Sequence, residues 1–295
     1  MNRQSLEEQE LKLELRLAQL ERNEACQNNF LQFVRRLWPE FITGRHHEII
    51  TEKLERVAKG ELKRLIINMA PRHTKSEFAS FLFPAWMMGR KPNMKIIQAT
   101  HTTELAVNFG RKTKNMIDSD EYKEIFPEVK LAADSKASGR WDTSAGGMYY
   151  AVGVGSNLAG RGGDLVIIDD PHSEQTAMSN NGFDDAWEWY TGGPRQRLQP
   201  GGAIILVMTR WGKKDLTGRL IQAQGGDSMA DQWEIVEFPA IMPSGNPLWP
   251  EFWQKDELLS VKASLSPTKW NAQWQQNPTA EEGAIIKRDW WQNWE

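Results

Sequence analysis

The sequence predicts an α/β fold in which helices cover a mostly parallel β-sheet. Four nearly continuous apolar runs of strand length alternate with helical patterns, and such runs are typical of strands that are buried on both faces. They occupy residues 65–67, 95–99, 165–168 and 203–207. With 295 residues, of which 25% are charged and 40% hydrophobic, the chain is long enough for one large or two modest folded domains. This composition excludes a disordered, collagenous or coiled-coil protein.

Helical patterns fill most of the remaining chain. Capping signals and apolar periodicity predict helices over residues 5–23, 29–37, 45–59, 76–88, 103–119 and 183–198. A glycine-rich segment surrounds a further predicted strand over residues 148–152. We therefore divide the chain into an N-terminal helical segment (1–60), an α/β core (61–212), a small subdomain rich in Pro, Trp and Gln (213–280), and a tryptophan-rich end (281–295).

Charge and cysteine content restrict the class of protein further. The net charge is only −3, so a nucleic-acid contact must come from a local basic patch. Basic residues cluster at 111–114 and 213–214, where a solvated helix face or turn is the simpler explanation. The single cysteine, Cys26, excludes an intramolecular disulfide and suits a reducing compartment. No signal-peptide pattern and no stretch of 18 uncharged apolar residues occurs, which predicts a cytoplasmic protein outside the membrane.

The segment M-A-P-R-H-T-K-S, residues 69–76, connects the first predicted strand to a predicted helix. A phosphate-binding loop needs this context, because the free N–H groups of the helix N-terminus face the anion. Lys75 would reach the β- and γ-phosphates of a nucleotide, and the Ser76 hydroxyl would ligate Mg²⁺. Met69 and Thr74 stand at the two glycine positions of the G-x-x-x-x-G-K-[ST] pattern. A turn that only happens to contain Lys-Ser therefore remains an alternative.

Two adjacent carboxylates, Asp169 and Asp170, follow the apolar run at 165–168. Ligands of α/β sheets bind outside the carboxyl ends of the strands, which is where this pair is predicted to lie. Asp169 would hold Mg²⁺, and Asp170 would orient and deprotonate an attacking water. The alternative is a pair of ordinary aspartates that begin a turn with Pro171. Both motifs occur in the expected order and each follows a buried strand, which favours the functional interpretation.

Two further residues are candidates for the same site. Thr209 follows the apolar run at 203–207, and in P-loop motors the strand beside the acidic one commonly ends in a polar residue that touches the γ-phosphate or the water. The segment 155–162 has the glycine spacing of a phosphate loop, but it lacks Lys-Ser and leads into a strand. Its Arg161 could instead reach a neighbouring subunit's triphosphate as an arginine finger, or be an exposed loop arginine.

Histidines and the cysteine do not predict a metal centre of their own. His46 and His47 are neighbours in the sequence that point differently on a helix. His73, His101 and His172 stand apart without cysteine partners, so a structural zinc site is not expected. Cys26 is interpreted as a small packed residue.

The assembled motifs resemble the large terminase subunit of tailed bacteriophages, the ATPase that pumps genomic DNA into a procapsid. The resemblance covers nearly the whole chain and rests on residues 64–76, 160–171, 208–211 and 273–278. It implies a P-loop NTPase core of the ASCE (RecA-like) type with a mostly parallel central sheet flanked by helices. N-terminal helices and a small C-terminal lid subdomain, here residues 213–280, complete this fold.

The resemblance also implies roles for individual residues. Terminases often carry an arginine early in a deviant phosphate loop, so Arg72 would hold the γ-phosphate, and the loop residues His73, Thr74, Lys75 and Ser76 would bind ATP. Arg161 resembles the finger that acts in trans. Two departures from the family pattern are Thr74, where a glycine usually precedes the lysine, and Asp170, which replaces the commoner Glu.

The resemblance further implies a cellular setting. The partners would be double-stranded DNA, the portal protein and the small terminase subunit, with a homo-oligomeric ring on the portal. The location would be the cytoplasm of the infected bacterial host, with transient docking on the procapsid. Full-length members continue into an RNase H-like nuclease, and residues 281–295 look like the linker to it. We therefore expect an ATPase portion without nuclease activity.

Two alternatives remain at this stage. One is another translocase or helicase-type ATPase, although no second helicase core is found in 295 residues. The other is a nucleotide-binding scaffold with little hydrolysis, which the departures at Thr74 and Asp170 suggest.

Overall fold

A computed structural model describes residues 3–135, 137–179 and 181–279 of the chain. The predicted linker at 281–295 lies outside these residues. The central element is a seven-stranded sheet. Its strands are β1 (Arg64–Met69), β2 (Lys95–Thr100), β3 (Arg140–Asp142), β4 (Met148–Gly153), β5 (Gly163–Asp169), β6 (Leu198–Met208) and β7 (Glu234–Phe238).

The strands follow the spatial order β3-β4-β2-β5-β6-β1-β7. Only β3 is antiparallel to its neighbour, and every other adjacent pair is parallel. The predicted mostly parallel sheet is therefore confirmed. This order matters for the site. β6 lies between β1 and β5. β1 precedes the loop of residues 70–76, here called the Lys-Ser loop, and β5 ends at Asp169, which Asp170 follows.

Twelve α-helices are described. They are α1 (Arg3–Asn28), α2 (Phe30–Leu37), α3 (Arg45–Lys59), α4 (Phe83–Arg90), α5 (Thr103–Asp118), α6 (Asp120–Ile125), α7 (Glu174–Met178), α8 (Gly182–Gly192), α9 (Pro194–Arg197), α10 (Leu216–Gly226), α11 (Lys255–Ser264) and α12 (Pro267–Lys269). Two π-helical turns, Glu77–Leu82 and Trp270–Trp274, precede α4 and follow α12. None of the described helices combines the length and apolar character needed to cross a membrane.

The helix predicted over residues 183–198 is divided in the structure. Gly193 adopts a non-helical backbone conformation (φ −112°, ψ −93°) between α8 and α9. Pro194 follows it and lacks the N–H that a continuous helix would need. Leu198 already belongs to β6, which is longer than the predicted apolar run because its first residues are exposed.

The two faces of the sheet are covered by different groups of helices. Leu65 and Ile67 of β1 pack into a core with α2, α3 and α4, whereas Ile66 between them packs into a second core that includes residues of α8 and α10. This burial on both faces explains why the strand reads as a continuous apolar run. A third, smaller core in the range 213–280 contains Leu258, Trp270 and Trp274.

Gly110 of α5 allows that helix to approach the β4 side of the sheet closely. A Cβ at this position would lie 2.5 Å from the Ser138 carbonyl oxygen and 3.0 Å from a ring carbon of Tyr149. We expect Gly110→Ala to lower the free energy of unfolding by about 1–3 kcal/mol, although alanine favours helices. Gly225→Ala on α10 is the matched control, because a Cβ there meets nothing within 4 Å. Urea unfolding of both variants tests this, and an equally stable Gly110→Ala would contradict the close approach.

Candidate active site

The carboxyl ends of the central strands are level with one another. Asp169 on β5 lies opposite Thr100 on β2 and Val207 on β6, and Asn68 on β1 lies opposite Met208. The residues that directly follow these strands therefore form a row along one edge of the sheet. This edge is where α/β folds bind ligands.

Two side-chain contacts join the Lys-Ser loop to the twin aspartates. Lys75 Nζ lies 2.8 Å from Asp170 Oδ2, and the Ser76 hydroxyl donates to Asp169 Oδ1 at 2.9 Å. The two motifs are about ninety residues apart in the chain, yet they form one cluster. Lysine, serine and both carboxylates are thus available at a single site.

Burial gives this cluster unusual electrostatics. Asp169 is only 1% exposed, and burial together with the adjacent charge of Asp170 raises the pKa of Asp169 to about 7. Lys75 is 8% exposed. Burial alone would lower its pKa, but the charges of Asp170 and Asp169 outweigh that effect and leave the pKa of Lys75 above its ordinary value. The lysine is therefore a permanent cation at neutral pH.

The same residues could hold a magnesium ion. Asp169 Oδ2 is buried and accepts no hydrogen bond from the described residues, while Ser76 is held beside the other oxygen of the same carboxylate. Mg²⁺ prefers a few oxygen ligands together with phosphates and water. Within the described residues, no group of three or more His, Cys, Asp and Glu side chains could form an all-protein metal site.

Backbone strain is concentrated around this cluster. Among the described residues, four that are not glycine have positive φ: Arg72 (60°), Thr74 (67°), Asp170 (41°) and Gln276 (54°). Two belong to the loop and one is the second aspartate. Such conformations cost free energy and persist only where neighbouring contacts enforce them. The position of Thr74 therefore has the backbone conformation that a glycine would adopt freely.

Asp170 is held by contacts on several sides. Its N–H donates to the Val207 carbonyl at 2.9 Å, and its Oδ1 accepts from the Thr209 N–H at 2.7 Å. His101, which follows β2, donates through Nδ1 to the Asp170 carbonyl at 3.2 Å. This contact of His101 was not predicted from the sequence, in which the residue was a candidate only for metal binding. A signal was present, because His101 directly follows a predicted strand of the same sheet.

Thr209 connects the acidic strand to the Lys-Ser loop. While its N–H binds Asp170, its hydroxyl donates to the Met69 carbonyl at 3.2 Å, at the end of β1. The next residue, Arg210, is buried and donates from its N–H to Gln276 Oε1 at 3.1 Å. Its guanidinium pairs with Asp215, at 3.0 Å. The hydrogen bond between Arg210 and Gln276 joins the sheet edge to the segment beyond Trp274, and it was not predicted from the sequence.

The arginine and histidine of the loop occupy different environments. Arg72 is exposed beside the cluster and forms no ion pair with the described part of the chain. The His73 side chain is buried, donates from Nδ1 to the Pro71 carbonyl at 2.8 Å and stacks on Trp253 at 5.9 Å. Its ring therefore supports the loop from within.

Arg161 lies far from the cluster. It precedes β5, whereas Asp169 ends that strand, so the two residues lie at opposite edges of the sheet. The Arg161 guanidinium stacks over the Tyr150 ring at 3.7 Å. The glycine-rich segment before it leads into β5 and not into a helix. Arg161 is therefore not part of the cluster formed by Lys75, Ser76, Asp169 and Asp170 within one chain.

Comparison with solved structures identifies the fold. A variant of the ATPase domain of the large terminase from Thermus phage P74-26 matches 83% of this chain and 96% of its own length, with 13% identity and a TM-score of 0.53. The large terminase of bacteriophage HK97 matches 85% of this chain with 14% identity and a TM-score of 0.56. The chain has the fold of a large terminase ATPase domain.

This similarity concerns structure and not sequence. No protein-family profile and no curated protein sequence matches the chain. The matched region covers 55% of the HK97 terminase, so the chain corresponds to about half the length of that protein. The expected α/β fold with a mostly parallel central sheet is confirmed, and these neighbours share it.

The raised pKa of Asp169 predicts how stability depends on pH. Since the folded state binds this proton more tightly than the unfolded state, in which the pKa is near 3.8, the carboxyl costs stability as pH rises from about 4 to 7. Asp169→Asn removes this cost. The free energy of unfolding of the variant relative to the parent should therefore rise by up to about 1.4 kcal/mol per pH unit between about pH 4 and 7, and this difference should stay constant above pH 7. Urea unfolding in EDTA measures the difference. A difference that is independent of pH would contradict the assigned pKa.

Proposed function

We propose that this chain is the motor ATPase portion of a phage large terminase, which hydrolyses ATP to drive double-stranded viral DNA into a procapsid. The observation that carries the proposal is the meeting of Lys75 with Asp170 and of Ser76 with Asp169 at one sheet edge. The fold shared with terminase ATPase domains supports the same conclusion. A helicase-type activity is not favoured by any feature of the described residues.

The loop and the first aspartate would hold Mg-ATP. Residues 72–76 directly precede a helical segment. Backbone N–H groups at the start of a helix have no partner within it, so they would favour an anion there. Lys75 would neutralise the β- and γ-phosphates, with Arg72 on the exposed side of the loop. Ser76 and Asp169 would hold Mg²⁺, which supplies charge neutralisation for the transferred phosphoryl group.

Asp170 would then position and deprotonate the attacking water. Its Oδ1 is already occupied by the Thr209 N–H, so Oδ2 is the oxygen available for a proton. Lys75 binds this Oδ2. A triphosphate in the loop would compete for the same ammonium group, and its binding would free the aspartate oxygen for water. The carboxylate is shorter by one methylene than the glutamate commoner in this family, but its strained backbone (φ 41°) displaces it from an ordinary strand path.

Arg161 would complete the site of a neighbouring subunit. Its position at the opposite edge of the sheet requires that any contact with a triphosphate be made in trans. This requires a ring, which we place on the portal protein, with the small terminase subunit as a further partner and the cytoplasm of the infected host as location. A finger supplied in trans makes the ATPase rate dependent on protein concentration.

Active-site substitutions test the assigned roles. Relative to the parent, we expect Lys75→Ala and Asp170→Asn to lower kcat for ATP by about 100-fold or more, because each removes a charge or a base that acts on the reacting phosphate. Phosphate release is measured at several protein concentrations with Mg²⁺ and again with EDTA. Lys214→Ala, which changes an exposed lysine outside the site, is the control. Equal background rates in the parent and in every variant would leave a nucleotide-binding scaffold without hydrolysis.

Mixing two inactive variants tests the trans role of Arg161. Arg161→Ala should lower kcat by about 1,000-fold or more if it is a finger. A mixture of Arg161→Ala with Lys75→Ala should recover part of the parent rate, since the intact loop of one subunit meets the intact arginine of the other. Circular dichroism melting controls for loss of the Tyr150 contact. No recovery at any mixing ratio would exclude action in trans.

Nuclease activity is not expected from this chain. The described residues lack the cluster of metal-binding acids that such chemistry requires. Supercoiled plasmid incubated with the pure protein and Mg²⁺ or Mn²⁺ should stay intact on an agarose gel. Metal-dependent cleavage that co-purifies with the protein would refute this expectation.

A further inference from the structure

His47 lies on α3, 27 residues before Thr74, and its ring reaches the phosphate loop. We propose that His47 is a positioning residue that holds Thr74 in the left-handed backbone conformation needed for phosphate binding. The inference rests on the proposed nucleotide-binding function and adds a residue to it. His47 does not touch the nucleotide; it acts through the threonine that stands where a glycine is usual.

The hydrogen bonds around His47 determine which ring nitrogen carries the proton. The Gly44 N–H donates to His47 Nδ1 at 2.8 Å, so Nδ1 is unprotonated. Nε2 therefore carries the proton and donates to the Thr74 hydroxyl at 2.6 Å. That hydroxyl is then free to donate its own proton to the His73 carbonyl at 2.5 Å. The three bonds form one directed chain from α3 to the loop.

The surroundings keep this ring neutral and fixed. His47 is fully buried, stacked on Phe78 at 5.0 Å and edge-on to Phe41 at 4.7 Å and Trp249 at 4.9 Å. Burial and the nearby His46 lower the pKa of His47 to about 2. The donor to Thr74 is therefore present at every physiological pH.

The need for this contact follows from the residue at position 74. A β-branched residue with φ of 67° is strained, whereas glycine adopts that conformation without cost. The hydroxyl of Thr74 offers the acceptor by which a neighbouring donor can compensate the strain. A glycine at this position would not need His47, and this difference makes the proposal testable by a double-mutant cycle.

The cycle uses the full chain and measures the Kd of Mg-ADP by calorimetry. His47→Ala should weaken binding about tenfold, which is the effect of an uncompensated left-handed residue. In the Thr74→Gly background the same substitution should weaken binding by less than about twofold. His47→Gln keeps a donor and an acceptor and should recover part of the loss. Leu54→Ala, buried on the same helix but outside the loop contact, is the control and should lower the melting temperature without changing Kd.

Three outcomes would overturn the proposal. Equal losses in the parent and in the Thr74→Gly background would show that His47 acts only on general stability. An unchanged Kd in His47→Ala would show that it does not act on the loop. A long-range ¹H–¹⁵N spectrum with Nδ1 of His47 protonated would contradict the hydrogen-bond chain directly. Failure of the parent chain to bind ADP or ATP would instead refute the proposed function, and the inference with it, whatever tautomer the spectrum showed.

Discussion

The ion pair between the buried Lys75 and the partly exposed Asp170 is the constraint around which the site is built. It requires the loop after β1 and the end of β5 to lie at the same edge of the sheet, although β6 separates these strands. A parallel sheet in that order provides this arrangement, because its carboxyl ends share one edge. The remaining carboxylate, Asp169, has a raised pKa because it is buried and lies beside the second negative charge.

Strained backbone conformations are the second feature of the site. Left-handed residues at Arg72, Thr74 and Asp170 place backbone and side chains where an ordinary turn would not. Each conformation must be compensated by contacts, and the contacts differ. Thr74 is held by a side chain of α3, whereas Asp170 is held by backbone groups at the end of β6 and by His101. The Lys-Ser loop therefore depends on α3, whereas the end of the acidic strand depends on the residues that follow β6 and β2.

The sequence predicts the sheet core and the meeting of four residues at its edge, which are Lys75, Ser76, Asp169 and Asp170. Strands buried on both faces leave continuous apolar runs, and polar residues just after them must meet at one edge. β7 was not predicted, because it lies at the sheet edge and is only partly buried, so its residues Glu234–Phe238 carry no such run. The split between α8 and α9 was also missed, because the helical pattern continued across Gly193.

His47, His101 and Gln276 could not be predicted in the same way. They bind backbone or hydroxyl groups, which occur throughout any chain, and only tertiary packing brings them to the motifs.

The contacts of Thr209 and Arg210 link Asp170 to the segment beyond Trp274. Thr209 N–H binds Asp170, and the next N–H along the chain, that of Arg210, binds Gln276. These two N–H groups belong to adjacent planar peptides that are joined at the Thr209 Cα, so only the φ and ψ angles of Thr209 lie between them. Gln276 itself has a left-handed backbone and follows the π-helical turn that ends at Trp274. A shift of the Asp170 carboxylate would therefore reach Gln276 through one pair of peptides.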